Sequence, residues 1–288
     1  MKKSVIVFIL IVIFCGQSAY AIDQGTVQGI LKINDREVKL TRSYAHLHDN
    51  AEGLLSFARE LRIVLVDRDI PQSSLRGIVF LPVNSLAREG GVEGIMITLD
   101  PADQSRALIT LLAKPASQGH SLMTVTLGAT GSKIFSGLLM SNVRVSGEIE
   151  YTDSRRQTDD DLPALVFSAK FSAPLFKELP VTADLKGQAA RNGIQAKVYR
   201  EKINALKKGD FEALKRLSTE KANRRDAAMI AQMGDRAKAF AKEAAEDLEK
   251  SSSLIRRVVV RGDTAVMIFS DKHWATFAKE RGHWKTDD

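Results

Sequence analysis

The chain predicts an α+β protein in two modules. Residues 22–190 predict an antiparallel β-sandwich or barrel-like module, and residues 191–288 a smaller module of helices on an antiparallel sheet. Three observations carry this expectation. Short apolar segments with period-two alternation, separated by turn residues, dominate the text as far as Phe176. Beyond Gly187 the apolar spacing becomes helical, and after Ser253 it returns to short strands with glycine-containing turns.

In chain order, GTVQGILKI and REVKLTRSYAHLH read as a hairpin around Asn34-Asp35, residues that tolerate the positive φ of a tight turn. ELRIVLVDR is a further strand that ends before Pro71. SSLRGIVFLPVNSLAREGG reads as a short helix or irregular connection, limited by Pro82 and ended by Gly90-Gly91. VEGIMITLD and SRALITLLAK form a second hairpin around residues 101–104. SLMTVTL, KIFSGLLM, VRVSGEIEY and ALVFSAKFSAPLF continue as strands, with the polar loop Asp153–Asp161 between the last two. Gly94, Gly137 and Gly147 mark bulges or bends; no phosphate-binding glycine spacing occurs.

The grammar then changes, which places the module boundary near 188–193. Ile194, Val198, Ile203 and Leu206 make a helical stripe stopped by Gly209. Asp210 is placed to cap a helix carrying Phe211, Leu214 and Leu217. Ile230, Met233, Ala237, Phe240, Ala244 and Leu248 predict one longer helix, ended by three serines. LIRRVVV, TAVMIF, HWATFAK and HWKT predict three or four strands turning at Gly262-Asp263, Asp271-Lys272 and Arg281-Gly282.

Residues 1–21, MKKSVIVFILIVIFCGQSAYA, read as an export signal. Lys2 and Lys3 supply the positive start, Val5 to Phe14 the apolar run, and Ala19 and Ala21 the small residues of a cleavage site. The expected mature chain begins at Ile22, has no transmembrane span and is periplasmic or secreted. The apolar run is shorter than the roughly 20 residues of a spanning helix. Cys15-Gly16 raises the alternative of a lipoprotein, but Ile13 and Phe14 are bulkier than the residues that usually precede an acylated cysteine. Cys15 is the only cysteine. Its removal excludes disulfides, thiol catalysis and cysteine-ligated zinc.

The formal charge of +7 is unevenly spread, with −2 over residues 22–190 and +7 over residues 191–288. Export makes nucleic acid a poor partner. Weak contact with an anionic membrane surface fits better, and so does contact with the acidic first half. The plainer reading is that Lys207, Lys208, Lys215, Arg216, Arg224 and Arg225 solvate helix faces.

Candidate sites are few. His46 and His48, in AHLHDN, share one side of a strand and could both approach a metal, with Asp49 and the distant His120 as further ligands. Zinc needs three or four ligands, and no spacing supplies them, so no metal or cofactor is expected. His273, Tyr199 and Asp263 could project into a pocket as acid–base groups, but Asp263 reads as a turn former and His273 as a strand start. No catalytic residue is therefore assigned, and the ligand-binding residues are unknown. Trp274 and Trp284 read as core packing rather than a ligand groove. Arg261-Gly262-Asp263 spells an adhesion tripeptide that a hairpin turn explains.

INALKKGDFEALKRLST, VVVRGDTAVMIF and FAKERGHWKTDD, with Gly262-Asp263-Thr264-Ala265 before a central strand and a closing Gly282-His283-Trp284-Lys285, resemble the nuclear transport factor 2-like (cystatin-like cone) superfamily, in particular its exported bacterial members. The resemblance covers about a third of the chain. It implies helices on a curved sheet. Only Ser270-Asp271-Lys272 separates two central strands, where the family has a longer excursion, and this implies a shallower cone. The first module resembles only the β-rich front halves of uncharacterised exported proteins.

Together these readings lead to the expectation of an exported, non-enzymatic ligand- or protein-interaction scaffold of the bacterial envelope. The alternatives are a small-molecule binder or isomerase-type enzyme using the cone, and a binder of anionic envelope surfaces.

Overall fold

The computed structural model describes residues 25–55, 57–75, 82–114, 124–127, 135–152, 164–271 and 273–287. The expected export signal with Cys15, Ala19 and Ala21, the candidate ligand His120 and the loop Asp153–Asp161 lie outside these residues.

The first part holds β1 (Gly25–Ile33), β2 (Arg36–His48), β3 (Glu60–Val66), α1 (Pro82–Arg88), β4 (Gly94–Asp100), β5 (Asp103–Leu112), β6 (Thr124–Leu127), β7 (Phe135–Met140), β8 (Arg144–Thr152) and β9 (Leu165–Lys177). The nine strands form a single curled antiparallel sheet in the order β6-β5-β4-β3-β2-β1-β9-β8-β7. It is an open half-barrel, so the two-sheet sandwich alternative does not hold.

The curl has a local cause. β2 and β9 are each 13 residues long and β1 is 9, so both neighbours run on past the start of β1. They converge there and pair in parallel, Ala45 with Leu175 and Leu47 with Lys177. Gly25 sits in the wedge, where a Cβ would lie 2.3 Å from Ser43 Oγ and 2.6 Å from Ser172 O. The Ser43 hydroxyl of β2 lies 3.0 Å from Thr26 O of β1 and 3.1 Å from Ser172 O of β9, so it donates, shared, to carbonyls of both strands beside the wedge.

Alternation divides the sheet into two buried faces. Ala45, Leu47, Leu61, Ile63, Ile95, Ile97, Ile109 and Phe167 belong to the main core. On the other face Tyr44, Val64, Val66, Met96 and Leu112 pack under Val83 and Ala87 of α1. β3 is buried at all seven positions, which explains its nearly continuous apolar text.

The second part holds β10 (Ala183–Lys186), α2 (Gln188–Asn192), α3 (Ile194–Lys208), α4 (Phe211–Leu217), α5 (Glu220–Met233), α6 (Ala237–Ser252), β11 (Ile255–Arg261), β12 (Thr264–Phe269), β13 (Trp274–Glu280) and β14 (His283–Thr286). Its five strands form an antiparallel sheet in chain order. The helical text starts near residue 188, but β10 already pairs with β11. The boundary between the two sheets therefore lies between Lys177 and Ala183.

Local signals act as expected at the helix ends. Gly209 takes a left-handed φ of 61° and closes α3, while the Asp210 carboxylate accepts from Ala213 N–H and opens α4. The expected single helix through Ile230 and Leu248 is instead broken. Gly234 has φ 54°, and a 3-10 turn over Gly234–Arg236 shifts the helical phase. Ala237, Ala241 and Ala245 then face inward, while Phe240 is 43 % exposed.

Ala265, Met267, Phe269, Ala275 and Phe277 pack with Tyr199, Ile203, Ala196 and Ala245 on the helical face of this sheet. Its opposite face carries Val259, Val266, Ile268 and Trp274, and these meet Leu54 and Leu55 from the loop after β2. A small apolar cluster thus joins the two sheets.

Candidate functional site

The convergence of β2 and β9 gathers the densest set of buried ionisable groups among the described residues. His46 and His48 project from the β2 face opposite the main core and are 2 % and 0 % exposed. Arg62 stands opposite His46 on β3, and Glu60 stands opposite His48. The Arg62 guanidinium donates to the Glu60 carboxylate, and both are buried. Glu178 follows directly from β9 and anchors its N–H on Leu47 O at 3.2 Å. Its Oε2 lies 2.7 Å from His46 Nε2. That contact is an ion-pair approach rather than an aligned hydrogen bond, and neither atom has another partner.

Asn50 builds the loop that completes the nest. It adopts φ 51°, in the left-handed region that asparagine tolerates. Its side-chain oxygen accepts from Leu54 and Leu55 N–H, each at 3.0 Å, and its amide nitrogen donates to Phe57 O at 2.6 Å. Its backbone N–H donates to His48 Nδ1 at 2.8 Å. The loop thereby turns Glu52 back under β2, with Oε2 3.6 Å from His48 Nε2, and aims Leu54 and Leu55 at the second sheet.

Arg261, the last residue of β11, enters this nest from the other sheet and is 3 % exposed. Its Nε donates to Glu52 Oε1 at 2.7 Å, and its two terminal nitrogens reach Asp49, Glu52 and Leu179 O. Such a forked, fully used guanidinium is the strong form of ion pair.

The electrostatics follow from this geometry. Burial pushes the Glu178 carboxyl up, but the neighbouring His46, then His48 and Arg261, outweigh it and hold it below the usual range. Asp49 behaves alike: burial opposes its charge, yet hydrogen bonds from Arg261 and Ala51 keep it lowered. His48 goes down because burial outweighs the pull of Glu52 and Glu178. Burial acts against the charge on Arg261, but Glu52 and Asp49 together raise its pKa.

His48, Asp49 and Glu52 bring potential metal-ligand atoms within 4.8 Å of one another. Two details decide what this trio can hold. The cation between its carboxylates is the Arg261 guanidinium. In addition, His48 Nδ1 accepts a hydrogen bond, so the neutral ring carries its proton on Nε2 and offers no lone pair there. The arrangement suits a protein cation and proton exchange rather than a bound ion.

The remaining candidates do not converge. Tyr199 is 4 % exposed, and its ring lies 5.5 Å from Phe269 inside the helix–sheet core. Asp263 is exposed in the β11–β12 turn. His273 is exposed beside Asp271, at the other end of β12. A six-residue strand, roughly 20 Å, therefore lies between Asp263 and His273. Trp284 packs toward the helix side and Trp274 against the loop after β2. Arg261 is the residue that the tripeptide reading misjudged: a buried clamp, not part of a surface turn.

Sequence reasoning paired His46 and His48 and named Asp49, but it missed Glu52, Glu60, Arg62, Glu178 and Arg261. One signal was present. Glu60 and Arg62 interrupt an otherwise apolar strand with period two, which puts both charges on one face. Glu52 also lies four residues after His48. Nothing local points to Arg261, which is 209 positions from Glu52.

Two open surface grooves flank the second sheet. One is lined by Lys186, Arg191, Arg256, Arg257 and Ser270, the other by Lys197, Glu201, Arg216, His283 and Trp284. No helix among the described residues is long and apolar enough to cross a membrane. Comparison with known protein families, curated proteins and solved structures finds no match to this chain.

Proposed function

We propose that this chain is an exported, non-enzymatic interaction scaffold, built from a β-rich front domain and a nuclear transport factor 2-like rear domain. The carrying observation is the filled space between the rear helices and their sheet. Tyr199, Met267, Phe269 and Phe277 occupy it, while Asp263 and His273 stand outside at opposite strand ends. Acid–base catalysis requires convergent polar groups in a pocket. The layout of α3 and α6 against one face of a five-stranded antiparallel sheet supports the likeness to the cone-shaped superfamily.

A thermal-shift screen with lipophilic small molecules tests this reading. A ligand at a hundred times its Kd stabilises the native state by about 2.7 kcal/mol, a rise of several degrees. The scaffold reading expects no saturable rise, and a saturable one would return the cone to small-molecule binding.

The groove containing Lys186, Arg191 and Arg256 favours a second reading, contact with anionic envelope surfaces. Sedimentation with phosphatidylglycerol vesicles tests it. Binding that persists at physiological ionic strength supports specific contact, whereas complete loss leaves only screened electrostatics.

A further inference from the structure

We propose that His48 is the trigger of an acid-operated latch, releasing the 49–55 loop from the second sheet while both sheets remain folded. The mechanism is stereochemical. In the closed state His48 Nδ1 accepts the Asn50 N–H at 2.8 Å. A proton from solvent can enter the neutral ring only at Nδ1, because Nε2 already carries one. The new N–H then faces the Asn50 N–H, donor against donor, and that hydrogen bond cannot survive. No covalent bond other than this N–H forms or breaks, and the proton returns to solvent when the pH rises.

Asn50 is the point from which such a disturbance spreads. Its side chain secures the backbone at Leu54, Leu55 and Phe57. Glu52, which grips Arg261, and Leu54 and Leu55, which cover Val259, Val266, Ile268 and Trp274, all hang from this turn. Moving it therefore loosens the polar and the apolar halves of the seam together. The main core of the first sheet and the helical-face core of the second lie on the far side of their strands and are not touched.

The charged groups around His48 come from every element packed on it. Glu52 faces Nε2 from the loop, Glu178 approaches from the end of β9, and Glu60 stands opposite on β3. Arg62, His46 and Arg261 bring positive charge or the capacity for it. Arg62 and His46 oppose charging of the ring, and Glu52 and Glu178 favour it, but burial is the largest influence and keeps the ring neutral. The folded value is thus below the unfolded one of about 6.5. The closed state is fully favoured above that value and is lost as pH falls through the lowered folded value.

Trp274 reports the event. In the full chain carrying Trp284→Phe it is the sole tryptophan, since the sequence has two. Its emission is followed from pH 8 to pH 4 beside far-UV circular dichroism, while the His48 ring is titrated by NMR. The expected result is a reversible red shift below pH 6.5 with dichroism retained and with the midpoint of the His48 titration. His48→Gln, whose side-chain oxygen can accept from Asn50 but takes up no proton, moves the emission change down by roughly one pH unit or more. Should that variant fail to fold, coincidence of the two midpoints in the His48 chain decides. The latch is overturned if emission and dichroism change together, if emission stays constant while His48 titrates, or if His48→Gln leaves the midpoint in place.

Discussion

The seam nest and the rear helix–sheet unit use the same residue types to opposite effect. At the seam, His46, His48, Glu52 and Arg261 are driven together under nearly complete burial, with partly buried Glu178 beside them. In the rear unit, His273 and Asp263 sit in solvent at opposite ends of one strand, and Tyr199 is a packing residue. Chemistry-bearing side chains therefore need a topological reason to converge. Here β2 and β9 supply it by overrunning β1, and Arg261 adds it by reaching across from the other sheet.

The sharpest way to break this contrast is Arg261→Met. It keeps most of the packing volume but leaves Glu52 buried without its cation, and stability in urea should fall by about 3–5 kcal/mol. Adding Glu52→Gln should recover more than half of that loss, because the uncompensated charge is then gone. If Arg261→Met costs under about 1 kcal/mol, the nest behaves like a surface pair and the contrast fails.

Acid should act next. Asp49 and Glu178 are held below their usual range, so their contribution is present above the unfolded carboxylate values and disappears as pH falls through the lowered folded ones. His48 adds a loss of the same sign that begins at higher pH. Urea midpoints measured from pH 8 to pH 3 should therefore decline in two stages. A single decline confined to the carboxylate range would remove His48 from the account.

A local feature should matter less. Asp210→Ala removes the cap of α4 and should cost about 1 kcal/mol, read as a shift of the urea midpoint. Smallest of all is Asp184→Asn at the rear surface. Asp184 pairs with Arg257 and Lys186 in a solvent-screened setting, and the change should stay within about 1 kcal/mol. A cost at Asp184 matching that at Arg261 would erase the distinction between buried and exposed pairs.

Much of this fold was legible along the chain. Asn34 at φ 53°, Gly209 at φ 61° and the Asp210 cap all act through neighbours a few residues away, so residue type alone announced them. Apolar strand text located β1 to β9 for the same reason. The reading failed where one local break changed the phase of everything after it. Gly234 turned Phe240 outward and left alanines to fill the core side of α6.

What the sequence by itself determined is most of the strands, caps and turns, since backbone propensity and side-chain periodicity operate within one or two turns of chain. Only the tertiary structure decided that β2 meets β9, that β10 belongs to the second sheet, and that Arg261 lies between Asp49 and Glu52. Those pairings depend on strand lengths and on burial shared by segments as much as 212 residues apart. Desolvation then converts ordinary charged residues into a nest whose properties no short stretch of the chain contains.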